Sequence, residues 1–223
     1  MAIREKKAAK TKLALLDAAL ELMTRRPFEE VAVAQICEVA EVSYATFFNY
    51  FGRKEDLLVY FVQLWSVETA HLAASVGGGL AGIERLFGHT AAQSELSPEI
   101  MEEIISFLAK KQNVARLTIK PLTDMEKRLR FPDIKDFAEL EDTGMRAVLP
   151  PLIHQAVERG ELPDGTDETE VLLALASIFM GAPVALAAGH MKGLGAAYSR
   201  QLSLLWGGLR AAKGVEQYRR NEK

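Results

Sequence analysis

The chain has 223 residues, 49% of them hydrophobic and 26% charged, with one cysteine and a formal net charge of −3. That balance supports a sizeable core and excludes a disordered polymer, a general polycation and an intramolecular disulfide framework. A single thiol fits a reducing cytoplasm, and the basic start, MAIREKKAAKTK, lacks the apolar run of a secretory signal.

Ala, Leu, Glu and Arg dominate and β-branched runs are rare, so the expected class is all-α. The first twelve residues carry five basic groups (Arg4, Lys6, Lys7, Lys10, Lys12) against Glu5 alone, which suits either a basic arm for an anionic polymer or, more commonly for such a run, a frayed solvated tail. A first helix is predicted over Lys10–Thr24, where Leu13, Leu16, Leu20 and Met23 form one apolar stripe. Arg25-Arg26-Pro27 closes it. A second helix fits Val33–Ala40, with Val33, Ile36, Cys37 and Ala40 on one face, and Glu41-Val42 reads as a short turn. Ser43 is the N-cap of a third helix, Tyr44–Phe51, because its hydroxyl accepts from an otherwise unpaired backbone N–H. Gly52 ends that helix, and a fourth runs from Lys54 through Ala74.

Two short helices joined by a tight turn, behind a longer one, make a helix-turn-helix. Five rings crowd into residues 44–51. Phe47 and Phe51 fall on one face, and they are expected in the core together with Phe48 beside them. Tyr44, Thr46, Asn49 and Tyr50 fall toward the outer side.

These segments resemble the TetR family of transcriptional repressors. The residues that carry the resemblance are Leu15-Leu16-Asp17-Ala18-Ala19, then Phe28, Val33 and Ile36-Cys37, then Ala40 through Phe51, and finally Lys54-Glu55-Asp56-Leu57-Leu58. The match is specific over about residues 10–60 and architectural beyond. It departs from the family at Val31-Ala32, where threonines often cap the second helix, and at Glu41, where the turn usually has glycine. Cys37 replaces the usual alanine and Arg53 a frequent Ser or Asn cap.

The resemblance implies a DNA-binding domain over residues 1–56 and a helical effector-binding and dimerisation domain over residues 57–223. The third helix is then the one that enters the major groove. Thr46 and Asn49 are expected at base edges, Tyr44 at a base edge or a thymine methyl, Gln35 at a base edge or phosphate, and Ser43, Tyr50 and Lys54 at phosphates. Glu41 places an acid near that face.

Further helices are predicted over Leu80–Gln93, Pro98–Arg116, Leu122–Leu129, Asp136–Arg159, Glu168–His190 and Ala196–Lys213. Thr166 or Asp167 is expected to cap the fifth of these, and Pro183 to kink it. Residues 171–188 carry no charge and are long enough to raise the question of a membrane span. Their Ala-rich composition, with Gly181 and Pro183, reads instead as a buried or dimer-interface helix. Two apolar helices at the end of the chain point to a four-helix bundle made with a second copy. The resemblance further implies a small effector, and the helices' few polar groups favour a lipophilic one. Phe87 and Phe107 are candidate lining, with His89, Asn113 and Arg116 as candidate polar contacts.

No catalytic pattern, metal-ligand spacing or cofactor motif stands out. The four histidines are scattered, Cys37 reads as a core thiol, and Gly77-Gly78-Gly79 lacks the Gly-Lys-Ser/Thr ending of a phosphate loop. The resemblance, with no catalytic pattern set against it, implies a cytoplasmic, homodimeric, ligand-responsive repressor that binds a palindromic operator and is not an enzyme. The competing reading is a helical ligand-binding or scaffold protein whose helix-turn-helix has lost its DNA role.

Overall fold

The computed structural model describes residues 2–110, 120–134 and 145–221. The described residues form helices joined by turns and loops, with no strand among them. In chain order the helices are α1 (Ala2–Met23), a 3-10 turn (Phe28–Glu30), α2 (Val33–Val39), α3 (Tyr44–Tyr50), α4 (Asp56–Ser75), α5 (Gly79–Leu96) and α6 (Pro98–Ala109). They continue with α7 (Asp124–Arg130), α8 (Met145–Glu158), α9 (Glu168–Leu186), a second 3-10 turn (Ala187–Gly189) and α10 (Leu194–Asn221). Asn113, Arg116 and the start of the helix expected from Asp136 lie outside the described residues.

Two compact units emerge. One comprises residues 1–68 and 97–144, the other residues 69–96 and 145–223, so α4 contributes to both.

The first unit is built on the α1 stripe. Leu15, Leu16, Ala19 and Leu22 are buried with Ile36, Phe47, Phe51, Leu57, Leu64 and Leu122. Each buried Leu or Phe contributes about 1.5–3 kcal/mol relative to exposure. Leu129, Phe131 and Ile134 pack against the same core and hold α7 onto it. The helix starts eight residues earlier than the sequence predicted. Arg4, Lys6, Lys7 and Lys10 are therefore not a loose arm but exposed residues on the first turns of α1. Residues 2–11 contain no helix breaker, and the buried Ala9 gives their turns an anchor.

Lys12 departs further from the expected basic arm, because it turns inward. Its ammonium pairs with the carboxylate of Glu126 on α7 and lies 4.4 Å from the ring centroid of Tyr60. Glu126 is 2% exposed. It also accepts from the backbone N–H of Thr123 at 2.8 Å and the Thr123 hydroxyl at 2.7 Å, completing a capping box for α7. Burial works to raise this carboxyl, but the bonds to Lys12 and Thr123 outweigh it and hold the group below its ordinary 4.5. The Tyr60 phenol is pushed up, first by burial and then by the Glu126 charge, and stays protonated.

The second unit packs α5, α8, α9 and α10. Ile83, Leu86, Phe87, Leu149, Ile153, Leu175 and Tyr198 are fully buried in it. Gly77, Gly78 and Gly79 run through left-handed backbone (φ 90, 75 and 57), which glycine tolerates, and deliver the chain into α5. The first amides of α5 are satisfied by the protein itself. Gly79 N–H donates to Gln155 Oε1 at 3.2 Å and Leu80 N–H to Glu161 Oε2 at 2.7 Å. A carboxylate of the chain thus occupies the place a phosphate would take. Asp167, one of the two expected caps, accepts from the N–H groups of Thr169 and Glu170.

Pro183 lies inside α9 and cannot donate to the carbonyl of Phe179, four residues back. Tyr198 donates its hydroxyl to that carbonyl at 2.8 Å. Its ring stacks on Phe179 at 6.0 Å and meets Phe87 edge-on at 4.9 Å. Tyr198→Phe keeps the rings and removes the donor, so it is expected to cost about 1–3 kcal/mol in urea unfolding. Unchanged stability would remove this role.

Candidate nucleic-acid interface

The interface is set by how α2 ends and α3 begins. Ala40 is the C-cap of α2, and Val42 N–H bonds the Cys37 carbonyl at 2.9 Å while Glu41 N–H bonds the Glu38 carbonyl at 3.1 Å. This is the Schellman pattern, and it requires left-handed backbone at the residue after the cap. That residue is Glu41, with φ 53. An L side chain there costs roughly 1–2 kcal/mol, which is why glycine suits the turn. Glu41 itself is exposed.

Ser43 then caps α3 as expected. Its Oγ accepts from Thr46 N–H at 3.1 Å and lies 2.7 Å from Thr46 Oγ1. The two hydroxyls share one proton, which leaves the pair a further proton and lone pairs for an outside partner. At α2 the cap is weaker. Ala32 has no side-chain bond to give, and only Gln35 contributes, its Oε1 accepting from Ala32 N–H at 3.1 Å.

On α3, Phe47 and Phe51 are buried, 5.6 Å apart between ring centroids. Tyr44 and Asn49 are exposed, Thr46 is half-buried, and the half-buried Tyr50 ring packs on the core. Phe48 departs from expectation: it is 44% exposed and sits with Tyr44, 5.0 Å between ring centroids. A helix advances 100° per residue, so Phe48 shares the face of Tyr44, four residues back, rather than that of Phe47. Sequence reasoning missed this residue, although the i, i+4 spacing from Tyr44 held the signal.

Lys54 also departs from its expected role. Its ammonium donates to the carbonyls of Phe28 at 2.6 Å, Val31 at 2.9 Å and Glu29 at 3.1 Å, and lies 4.6 Å from the Phe28 ring centroid. An ammonium has three protons, so none is left for a phosphate in this arrangement. Lys54 instead fastens the 3-10 turn that leads into α2. That turn is also tied to α6, where Glu103 accepts from Phe28 N–H at 3.0 Å. Arg53, at the expected cap before α4, is itself held by Asp56, which accepts from its backbone N–H at 3.0 Å.

The remaining site candidates are dispersed. Phe107 belongs to a core with Met23, Phe28, Leu58 and Ile104 in the first unit. Phe87 is buried in the aromatic group of the second unit, with the half-buried His89 two residues along the same helix. The Cys37 thiol is buried and pushed up by that burial, as suits a core residue. Among the described residues no group of three or more His, Cys, Asp or Glu side chains is placed to hold a metal.

A Ser-capped, seven-residue helix that turns polar and aromatic side chains outward, behind a Schellman-ended helix, defines the class: a helix-turn-helix protein. Residues 15–61 match the pattern of the bacterial regulatory proteins, tetR family, and this helix-turn-helix region belongs to that family. The chain is 47% identical over 49 residues to the HTH-type transcriptional regulator LuxR of Vibrio harveyi, a match covering 22% of this chain and 24% of that protein. It is 36% identical over 72 residues to TcmR of Streptomyces glaucescens, 32% of this chain and 31% of that protein. These matches thus span about a quarter to a third of those curated relatives.

Similarity of fold extends further. FadR of Thermus thermophilus, a TetR-family repressor in complex with lauroyl-CoA, aligns over 87% of this chain and 92% of its own, with a TM-score of 0.57 and 22% identity. The fatty acid degradation regulator FadR of Bacillus halodurans aligns over 90% and 96%, with a TM-score of 0.59 and 20% identity.

Proposed function

We propose that this protein is a ligand-responsive transcriptional regulator, acting in the cytoplasm as a homodimeric repressor on a palindromic operator. The observation that carries the reading is the outward face of α3 inside the family-matched segment, with Ser43, Tyr44, Thr46, Asn49 and Tyr50 as the DNA-contacting set. Gln35 on α2 adds a contact from the neighbouring helix. Residues 1–56 supply the DNA-binding function, and residues 57–223 the effector and dimer functions.

Support for the dimer comes from α9 and α10. Residues 171–188 carry no charge, yet only 28% of the most apolar window of Glu168–Gly189 is buried within the chain. Leu173 and Val184 are 60% exposed and Leu204 is 75% exposed, with Gly207 and Gly208 exposed nearby on α10. Isolated apolar residues are ordinary on a surface, but the uncharged face of α9 and the exposed Leu204, Gly207 and Gly208 of α10 suit a second copy. Two-fold pairing would present two α3 helices to half-sites about 34–36 Å apart or a multiple of that.

The effector is proposed to be small and lipophilic, from the scarcity of polar side chains in the second unit's helices. It can act only through unequal affinity for the DNA-competent and incompetent arrangements. Selection of bound duplexes from a random pool at moderate salt tests the reading. Enrichment of a palindrome is expected; a folded, dimeric protein that enriches nothing would favour the scaffold alternative.

A further inference from the structure

Phe48 has no hydrogen-bonding atom, yet it stands 44% exposed on the outer face of α3. It is not loose there. It meets the fully buried Phe47 edge-on at 5.1 Å between ring centroids and the 57% exposed Tyr44 at 5.0 Å. Val39, on α2, is the third large apolar side chain exposed in the helix-turn-helix, at 43%. Leaving such a ring in water forgoes burial energy, and its contacts with two neighbouring rings favour the orientation that keeps both.

In the major groove the base edges offer hydrogen-bond donors and acceptors and one apolar group, the 5-methyl of thymine. A ring without polar atoms has no other complement there. Asn49, the next residue along α3, is exposed and offers polar groups beside it. We propose that Phe48, backed by Tyr44, is a specificity-determining residue that reads thymine 5-methyl groups in each half-site. This rests on the DNA-binding reading above and adds to it the chemical group recognised.

The test uses the full-length protein and the duplex enriched from the random pool, with each thymine replaced in turn by 2′-deoxyuridine, which removes only the methyl. At one or two positions per half-site the wild-type protein is expected to bind about fourfold more weakly, the effect of one buried methyl. Phe48→Ala, shown by its melting curve to be folded, is expected to bind the thymine and deoxyuridine duplexes equally at those positions. Phe48→Tyr, which keeps the ring, is expected to retain the discrimination. Equal wild-type binding to thymine and deoxyuridine at every position overturns the proposal, as does a Phe48→Ala protein that keeps the full ratio. A pool that enriches no sequence removes the DNA-binding reading and this inference together, whereas an enriched palindrome indifferent to its methyl groups removes this inference alone.

Discussion

Lys12→Met is expected to destabilise the first unit by about 2–4 kcal/mol at neutral pH, measured by urea unfolding, because it leaves a buried carboxylate without its cation. Glu126 is 2% exposed, while the Lys12 side chain is 20% exposed. The two partners are therefore not equivalent. Lys12 can reach water if its partner is removed, whereas Glu126 must stay charged in the core or take up a proton. Glu126→Gln, which keeps an acceptor for Thr123, is expected to cost less. Replacing both residues with apolar side chains of similar volume is expected to recover most of the loss, since a buried pair must first offset its own desolvation.

The pH dependence has a fixed sign. The folded carboxyl of Glu126 is held below its ordinary 4.5, so the wild-type contribution is present above that value and is lost as pH falls through the folded pKa. In Lys12→Met only the Thr123 bonds still oppose burial, so the carboxyl is expected to rise from its wild-type value. The stability gap between the two proteins should be widest near neutrality and shrink as pH falls toward 4.5 and below. A gap independent of pH would remove Glu126 as the cause.

The second large effect concerns assembly. The pair Val184→Arg, Leu204→Arg places two charges on exposed apolar positions of α9 and α10. The chain should still fold, because neither side chain contributes to the core. Sedimentation should show a monomer, since each arginine would have to be desolvated without a partner at the interface. Operator binding should weaken about 100-fold or more, because one DNA-binding head loses the effective concentration that the other supplies. A double variant that remains dimeric would place the interface elsewhere.

Much of this arrangement was legible in the sequence because it is local. The α1 stripe, the Ser43 cap, the Glu41 turn and the Asp167 cap all depend on residues within a few positions of one another. Thr123-Asp124-Met125-Glu126 also carried a readable capping-box spacing, and the sequence analysis passed over it. Other features had no local signal. Lys12 and Glu126 are 114 positions apart, by subtraction of their numbers, and nothing near Lys12 marks it as an inward lysine. Lys54 lies at the family's expected position, but its bonds run to carbonyls 23 to 26 residues earlier. Phe48 was misjudged because two consecutive phenylalanines on a short helix leave open which of them faces the core. The packing of α1 and α4 against Phe47 and Phe51 decides it.

The effector residues were the least legible. Phe87 and Phe107 were chosen as large apolar groups on adjacent predicted helices, and the fold assigns them to separate cores. A large ring in a helix is more often packing than pocket, and spacing along one helix does not distinguish the two.

The most direct measurement is a titration of Asn49→Ala against the enriched operator and a scrambled duplex of the same composition, with the variant's melting curve recorded alongside. Asn49 is exposed on α3, so its loss should leave melting within about 0.5 kcal/mol of wild type. It should weaken operator binding by about 1–3 kcal/mol, roughly 10- to 100-fold, and leave scrambled-duplex binding unchanged. Equal weakening on both duplexes, or none on either, would contradict the assignment of α3 as the element that reads the operator.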